Sequence, residues 1–177
     1  IYIYPSHDVD AGDAFDDLGS HFAMEDYHIL SMDSPASEAV DNGRALYVKD
    51  VPWAERQMWA PDAACKNGKY YFCFPVGNGV KNRVDPSKST KWMGIGIAVS
   101  DSPTGPFVDE IGAPLWTKPY ANDPCLFVND DNKAYLYFHG SGKDYYVAEM
   151  ADDMLSIKGD FIKMDMGGYE PKMEGPW

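Results

Sequence analysis

Three acids stand in similar settings along the chain. Asp62 follows Ala60-Pro61, Asp123 precedes Pro124, and Glu174 opens Glu174-Gly175-Pro176. Gathered in one pocket, such acids do general acid–base work. One carboxylic acid protonates a leaving oxygen, and one carboxylate activates water or attacks carbon. A third close by holds the proton on the first by like-charge repulsion. Cleavage of a glycosidic bond needs this set. Taken singly, an Asp beside a Pro caps a strand or a turn. The case for a site rests on three acids at matched places in an aromatic-rich chain.

The elements that must carry these acids repeat. Lys69-Tyr70-Tyr71-Phe72-Cys73-Phe74 recurs 64 residues later as Lys133-Ala134-Tyr135-Leu136-Tyr137-Phe138. Each copy follows a hairpin signal, Asn67-Gly68 or Asp131-Asn132. Before each turn runs a short segment opened by Asp and Pro. A truncated copy, Tyr2-Ile3-Tyr4-Pro5, matches Phe72-Cys73-Phe74-Pro75. A further strand follows each hairpin: Tyr27–Pro35 resembles Ile95–Pro103, and Asp144–Met150 is a weaker third copy. Each unit therefore reads as strand, tight turn, strand, loop, strand, turn, with room for a short last strand. Four-stranded units at long period predict propeller blades. The period exceeds the ~40–50 residues of common blade families, and long loops account for the excess. Strands such as Tyr70–Phe74 lack alternation because a blade is buried on both faces. The helix candidate Ser37-Glu38-Ala39-Val40 is short and soon meets Gly43. In a propeller the first strand of each blade lines the channel, so Asp62, Asp123 and Glu174 are expected at one mouth of it.

Composition narrows the function classes. The 177 residues hold 15 Lys and Arg against 28 Asp and Glu, a formal charge of −13. That surface repels phosphate, which argues against nucleic acid and anionic membranes as partners. Apolar residues are 45% and aromatics 14%, enough for a core and suited to β-structure or a sugar-facing surface. No apolar run reaches transmembrane length. Cys65, Cys73 and Cys125 make neither a disulfide framework nor a zinc site. The chain opens inside a strand without a Met, so it reads as a fragment of a longer protein and says nothing about export.

The order Ile1-Tyr2-Ile3-Tyr4-Pro5-Ser6-His7-Asp8, Trp59-Ala60-Pro61-Asp62, Lys69-Tyr70-Tyr71-Phe72, Asn122-Asp123-Pro124 and Glu174-Gly175-Pro176 resembles glycoside hydrolase family 43 along essentially the whole chain. The nearest likeness is to its β-xylosidase and α-L-arabinofuranosidase members. The resemblance implies an all-β, five-bladed β-propeller, of which about three blades are covered here. Residues 1–177 would be part of one catalytic propeller domain: the end of blade one, blades two and three, and the start of blade four. It implies an inverting hydrolase that releases xylose or arabinofuranose from xylan, arabinoxylan or arabinan in the plant cell wall. By the resemblance Glu174 is the general acid, and Asp123 tunes its pKa and orients substrate. The family's general base, an Asp early in blade one, has no match in this chain; the repeat places it about 8 to 11 residues before Ile1. Asp8 and Asp10 follow the strand and are not promoted. The family often holds a structural calcium or a water on the propeller axis, partly through a histidine of a later blade. An extracellular or periplasmic location is favoured, with a cytoplasmic one left open.

Other residues bear on the pocket. His7 reaches its rim or serves a turn in Ser6-His7-Asp8. Trp59, two residues before Pro61, is a stacking platform for a sugar ring or a core residue between blades. Trp116 and Tyr120 flank Asp123 on its approach loop, and Trp177 follows Glu174; any of these could wall a subsite. His28 and His139 read as structural histidines. The basic stretch from Gly77 to Trp92 reads as a solvated loop without a phosphate-binding pattern. Against the enzyme stand a non-catalytic carbohydrate-binding propeller, which need not keep the acids, and a structural propeller whose acids only make turns. Glu174 in its Glu-Gly-Pro setting and Asp123 favour the enzyme.

Overall fold

The computed structural model describes residues 1–10, 23–77, 93–116, 120–140, 142 and 144–168. Among them, ten strands form three antiparallel sheets, and the helical structure is one 3-10 turn at Val48–Asp50. The first sheet joins β1 (Tyr2–Ile3), β2 (Asp26–Ser31) and β3 (Val40–Tyr47) in that order. The second joins β4 (Asp62–Lys66), β5 (Lys69–Gly77) and β6 (Met93–Ser100). The third is four-stranded, running from β7 (Asn122–Val128) through β8 (Ala134–His139) and β9 (Tyr145–Glu149) to β10 (Ile162–Lys163). This is the all-β succession of antiparallel units that the repeats predict, each sheet one blade. The short helix candidate is not one: Ser37 closes a turn onto the Ser34 carbonyl, and Val40 opens β3. The segment expected to open a fourth blade, 169–176, lies outside the described residues, as does most of the basic loop.

The hairpins show why the repeat was readable. Asn67 and Gly68 both take positive φ, 53° and 78°, the two-residue turn whose twist suits the flanking strands. The second hairpin is longer. Val128 pairs with Ala134, and the loop between them is tied by the Asn129 carboxamide oxygen, which accepts the Lys133 amide at 2.8 Å. At the tips, Asn132 donates to the Asn67 side chain at 2.9 Å and links two blades.

Two apolar seams hold the sheets face to face. Between the first two blades lie Tyr27, Ile29 and Leu46 against Phe72, Phe74 and Val76. Between the second and third lie Tyr71, Cys73, Ile95 and Ile97 against Leu126, Leu136, Phe138 and Met154. Successive residues of β5 thus feed opposite seams, which is why that strand is apolar throughout. Gly96 lets Trp53 stack on Phe74 at 5.9 Å, since a Cβ there would overlap both rings.

Candidate active site

Antiparallel order brings the starts of β4 and β7, the ends of β5 and β8 and the starts of β6 and β9 to one end of the blades. Two cross-links show that this end is shared. Met58, on the approach to β4, donates its amide to the Met24 carbonyl beside β2 at 3.0 Å, and Ala121 donates to Met93 at the start of β6 at 3.0 Å.

Asp123 has the unusual geometry here. Asn122 pairs with His139 and Cys125 with Tyr137, so β7 carries one residue more than β8 between these pairs. That is a β-bulge, and it re-aims the side chain it carries. Asp123 within it has φ 50°, in the left-handed region, and is only 4% exposed. A left-handed non-glycine residue costs roughly 1–2 kcal/mol, a strain that collects at functional sites. Its neighbour Asn122 is 8% exposed, and among the described residues its buried Oδ1 accepts no hydrogen bond. His139 lies opposite, its Nε2 donating to the Gly142 carbonyl at 2.9 Å, with the Tyr120 and Tyr145 rings 5.9 and 5.3 Å away.

Asp62 is placed differently from what its motif suggests. Cys73 and Tyr137 occupy the same place in the repeated strand, and their partners are Asp62 and Cys125. The structural counterpart of Asp62 is therefore Cys125, not Asp123. Its carboxylate spans the seam between blades: Oδ1 accepts the Ala63 amide at 2.8 Å and Oδ2 the Leu126 amide at 2.7 Å. The Cys125 thiol also donates to it. Burial nevertheless pushes the Asp62 pKa up, outweighing these hydrogen bonds. Level with Leu126, it sits about 7–10 Å along the strand from Asp123. The expected equivalence of the two aspartates is corrected accordingly: Asp62 joins two blades.

Trp116 departs from expectation too. It packs on Phe138, Tyr146 and Phe161, at 5.1, 5.6 and 4.4 Å, whereas Tyr120 packs on His139. Phe138 and His139 are consecutive in β8 and point to opposite faces. The two aromatics on the approach to Asp123 therefore lie on opposite faces of the third blade, and Trp116 belongs to the seam and rim side. His7 is at the shared end, 65% exposed in its side chain, with Nδ1 3.3 Å from Asp26. Asp26, itself buried, accepts Arg44 Nε at 2.9 Å. His28 faces Asp41, whose pKa is held down by the Gly43 amide first and His28 second. Trp59 is half-buried on the approach to β4. Glu174 and Trp177 lie outside the described residues.

Sequence reasoning missed the segment that sets Trp59. Gln57 is fully buried with φ 63°, and its carbonyl accepts the Trp59 amide at 2.8 Å, closing a three-residue γ-turn. Arg56 bridges to Gly77 at the end of β5, and a Cβ at Gly77 would overlap the Gln57 carboxamide oxygen. Glu55 Oε2 and Arg56 Nε are buried without a hydrogen-bond partner among the described residues. The signal available was the polar run Glu55-Arg56-Gln57 directly before Met58-Trp59. Among the described residues no three His, Cys, Asp or Glu side chains are grouped to hold a metal.

Comparison with known proteins agrees with this architecture. The model of "Glycosyl hydrolases family 43" matches residues 41–177. A xylosidase/arabinosidase 43A of Humicola insolens is 46% identical over 79% of this chain and 40% of its own length. A β-xylosidase of Xylanibacter ruminicola is 42% identical over 79% of this chain and 41% of its own. The chain thus spans about two-fifths of these relatives. Among solved structures, a family 43 β-xylosidase/α-arabinofuranosidase from a compost metagenome, with xylotriose and in a calcium-free form, superposes with a TM-score of 0.75 at 42% identity. It matches 92% of this chain and 55% of that one. A Xanthomonas citri enzyme complexed with xylose gives 0.71 at 38%, over 92% and 50%. The three sheets are blades of the five-bladed β-propeller of these enzymes. By family match and by fold, the chain belongs to glycosyl hydrolase family 43.

Proposed function

We propose that the protein containing this chain is an inverting glycoside hydrolase that releases xylose or arabinofuranose from xylan, arabinoxylan or arabinan. The observation that carries this reading is Asp123, a buried carboxylate held in a left-handed bulge at the shared end of the blades. Relatives named for xylosidase and arabinosidase activity support the substrate class. In this reading Glu174 is the general acid, and the Asp123 carboxylate raises its pKa so that it stays protonated until the leaving oxygen needs the proton. Water attacks from the opposite face of the sugar, helped by a base carboxylate roughly 6.5–9.5 Å from the acid. That base comes from outside these 177 residues. Asp62 does not supply it, since its oxygens serve the seam. His7 and Trp59, at the same end, contribute to the wall of the sugar pocket.

The test is Glu174→Gln in the complete protein. Turnover on natural glycosides should fall by about 10²–10⁴-fold, and far less on aryl glycosides whose leaving groups need little proton donation. Equal losses on both would show that Glu174 is not the acid.

A further inference from the structure

A second concave site lies on the outer strands of the third blade, two to three strands out from β7 and its Asp123. It is a groove of about 550 Å³ at the rim of the second and third blades, lined by Leu115, Trp116, Tyr146, Ser156, Asp160 and Phe161 among others. That size falls among small-molecule sites, roughly 300–1,000 Å³. Both flanking blades lie within this chain, and Leu115 is tied to β6 through its amide on the Ile95 carbonyl at 2.8 Å.

The wall is aromatic and stiff. Trp116 meets Phe161 edge-on at 4.4 Å, and Tyr146 stacks on Phe138 at 5.4 Å and 17°. Rings held by other rings lose little freedom when a ligand arrives. Asp160 and Ser156 are exposed at the rim and present an acceptor and a hydroxyl to solvent. Apolar ring faces beside a few polar groups suit a sugar, which has C–H faces and hydroxyl edges. Two other cavities among the described residues, about 350 and 300 Å³, have no such wall: the first has no aromatic lining residue and the second only Tyr2. A chain carrying −13 admits a neutral glycan and repels a polyanion.

We propose that this groove is a secondary binding site for a neutral pentosyl chain, a stretch of polymeric substrate held apart from the reacting bond. The inference rests on the pentosidase reading above, and its test separates the two. The complete protein and its Asp160→Ala, Ser156→Arg and Phe161→Ala variants are run on native gels containing soluble arabinoxylan, and each is assayed on aryl xyloside and aryl arabinofuranoside. Polymer retention should weaken about three- to tenfold in Asp160→Ala, the worth of one net hydrogen bond, and at least as much in the other two. kcat/KM on the aryl glycosides should stay within twofold in Asp160→Ala and Ser156→Arg. If Phe161→Ala loses its fold, those two exposed-site variants decide. Unchanged retention in both overturns the proposal, also if they convert a dimer to a monomer, which would make the groove a self-association surface. Lost retention in a protein that hydrolyses neither aryl glycoside would keep the binding site and sink the pentosidase reading.

Discussion

Asp62 offers a direct way to separate a structural carboxylate from a chemical one. Its two oxygens accept the Ala63 and Leu126 amides, and Leu126 belongs to the next blade. Asp62→Ala removes both acceptors and leaves those amides, together with the Cys125 thiol, without their oxygen. A hydrogen bond to a charged group is worth about 1.5–3 kcal/mol, and a buried donor left unsatisfied costs about 1–3 kcal/mol. Half-burial of the site trims these figures, so Asp62→Ala should lose about 2–4 kcal/mol of unfolding free energy. Asp62→Asn keeps one acceptor and should lose about 1–2 kcal/mol. The pH dependence has a definite sign. Because burial raises the folded-state pKa of Asp62, the folded protein holds that proton more tightly than the unfolded chain does. The resulting stability is fully present below the ordinary aspartate pKa and is lost as pH rises through the raised value. Asn mimics the protonated acid, so the Asp62→Asn penalty should be larger at acid pH than at neutral pH. Urea unfolding of the complete protein at several pH values reads this directly, alongside kcat on an aryl pentoside, which should stay within about tenfold. A loss of 10²-fold or more in kcat with undiminished stability would refute the argument and make Asp62 part of the acid–base machinery.

Asp123→Asn removes the negative charge that keeps the proposed acid protonated, so the alkaline limb of the kcat profile should move to lower pH, read from rates between pH 4 and 9; an unmoved limb would exclude that role. Gly77→Ala forces a methyl onto the Gln57 carboxamide and should cost about 1–3 kcal/mol, much of it recovered in the Gly77→Ala, Gln57→Ala double variant; additive losses in thermal unfolding would show that the two do not touch. If the base comes from outside these residues as proposed, the 177 residues expressed alone should release neither xylose nor arabinose; activity per mole matching the complete protein would place the base within them.

Much of the blade architecture could be read from local signals. Asn67-Gly68 sets a two-residue turn whatever surrounds it, and the repeated Lys-led strand marks the second strand of each unit. Asp123 stood out by its Asn-Asp-Pro setting, but its left-handed bulge did not, because a bulge is defined against the partner strand. The spacing misled for Asp62 for the same reason. Seven residues separate Asp62 from Lys69 and ten separate Asp123 from Lys133. Only the pairing shows that the difference is spread over a longer hairpin loop, an extra bulged residue and a real displacement along the strand. Trp116 and Tyr120 are four residues apart in the chain, and the alternation of Phe138 and His139 sends them to opposite faces. Residue type and order thus determined which chemistry and which family were in question. Which carboxylate sits in a left-handed bulge and which bolts two blades together was decided by strand register, which arises only between segments distant in sequence.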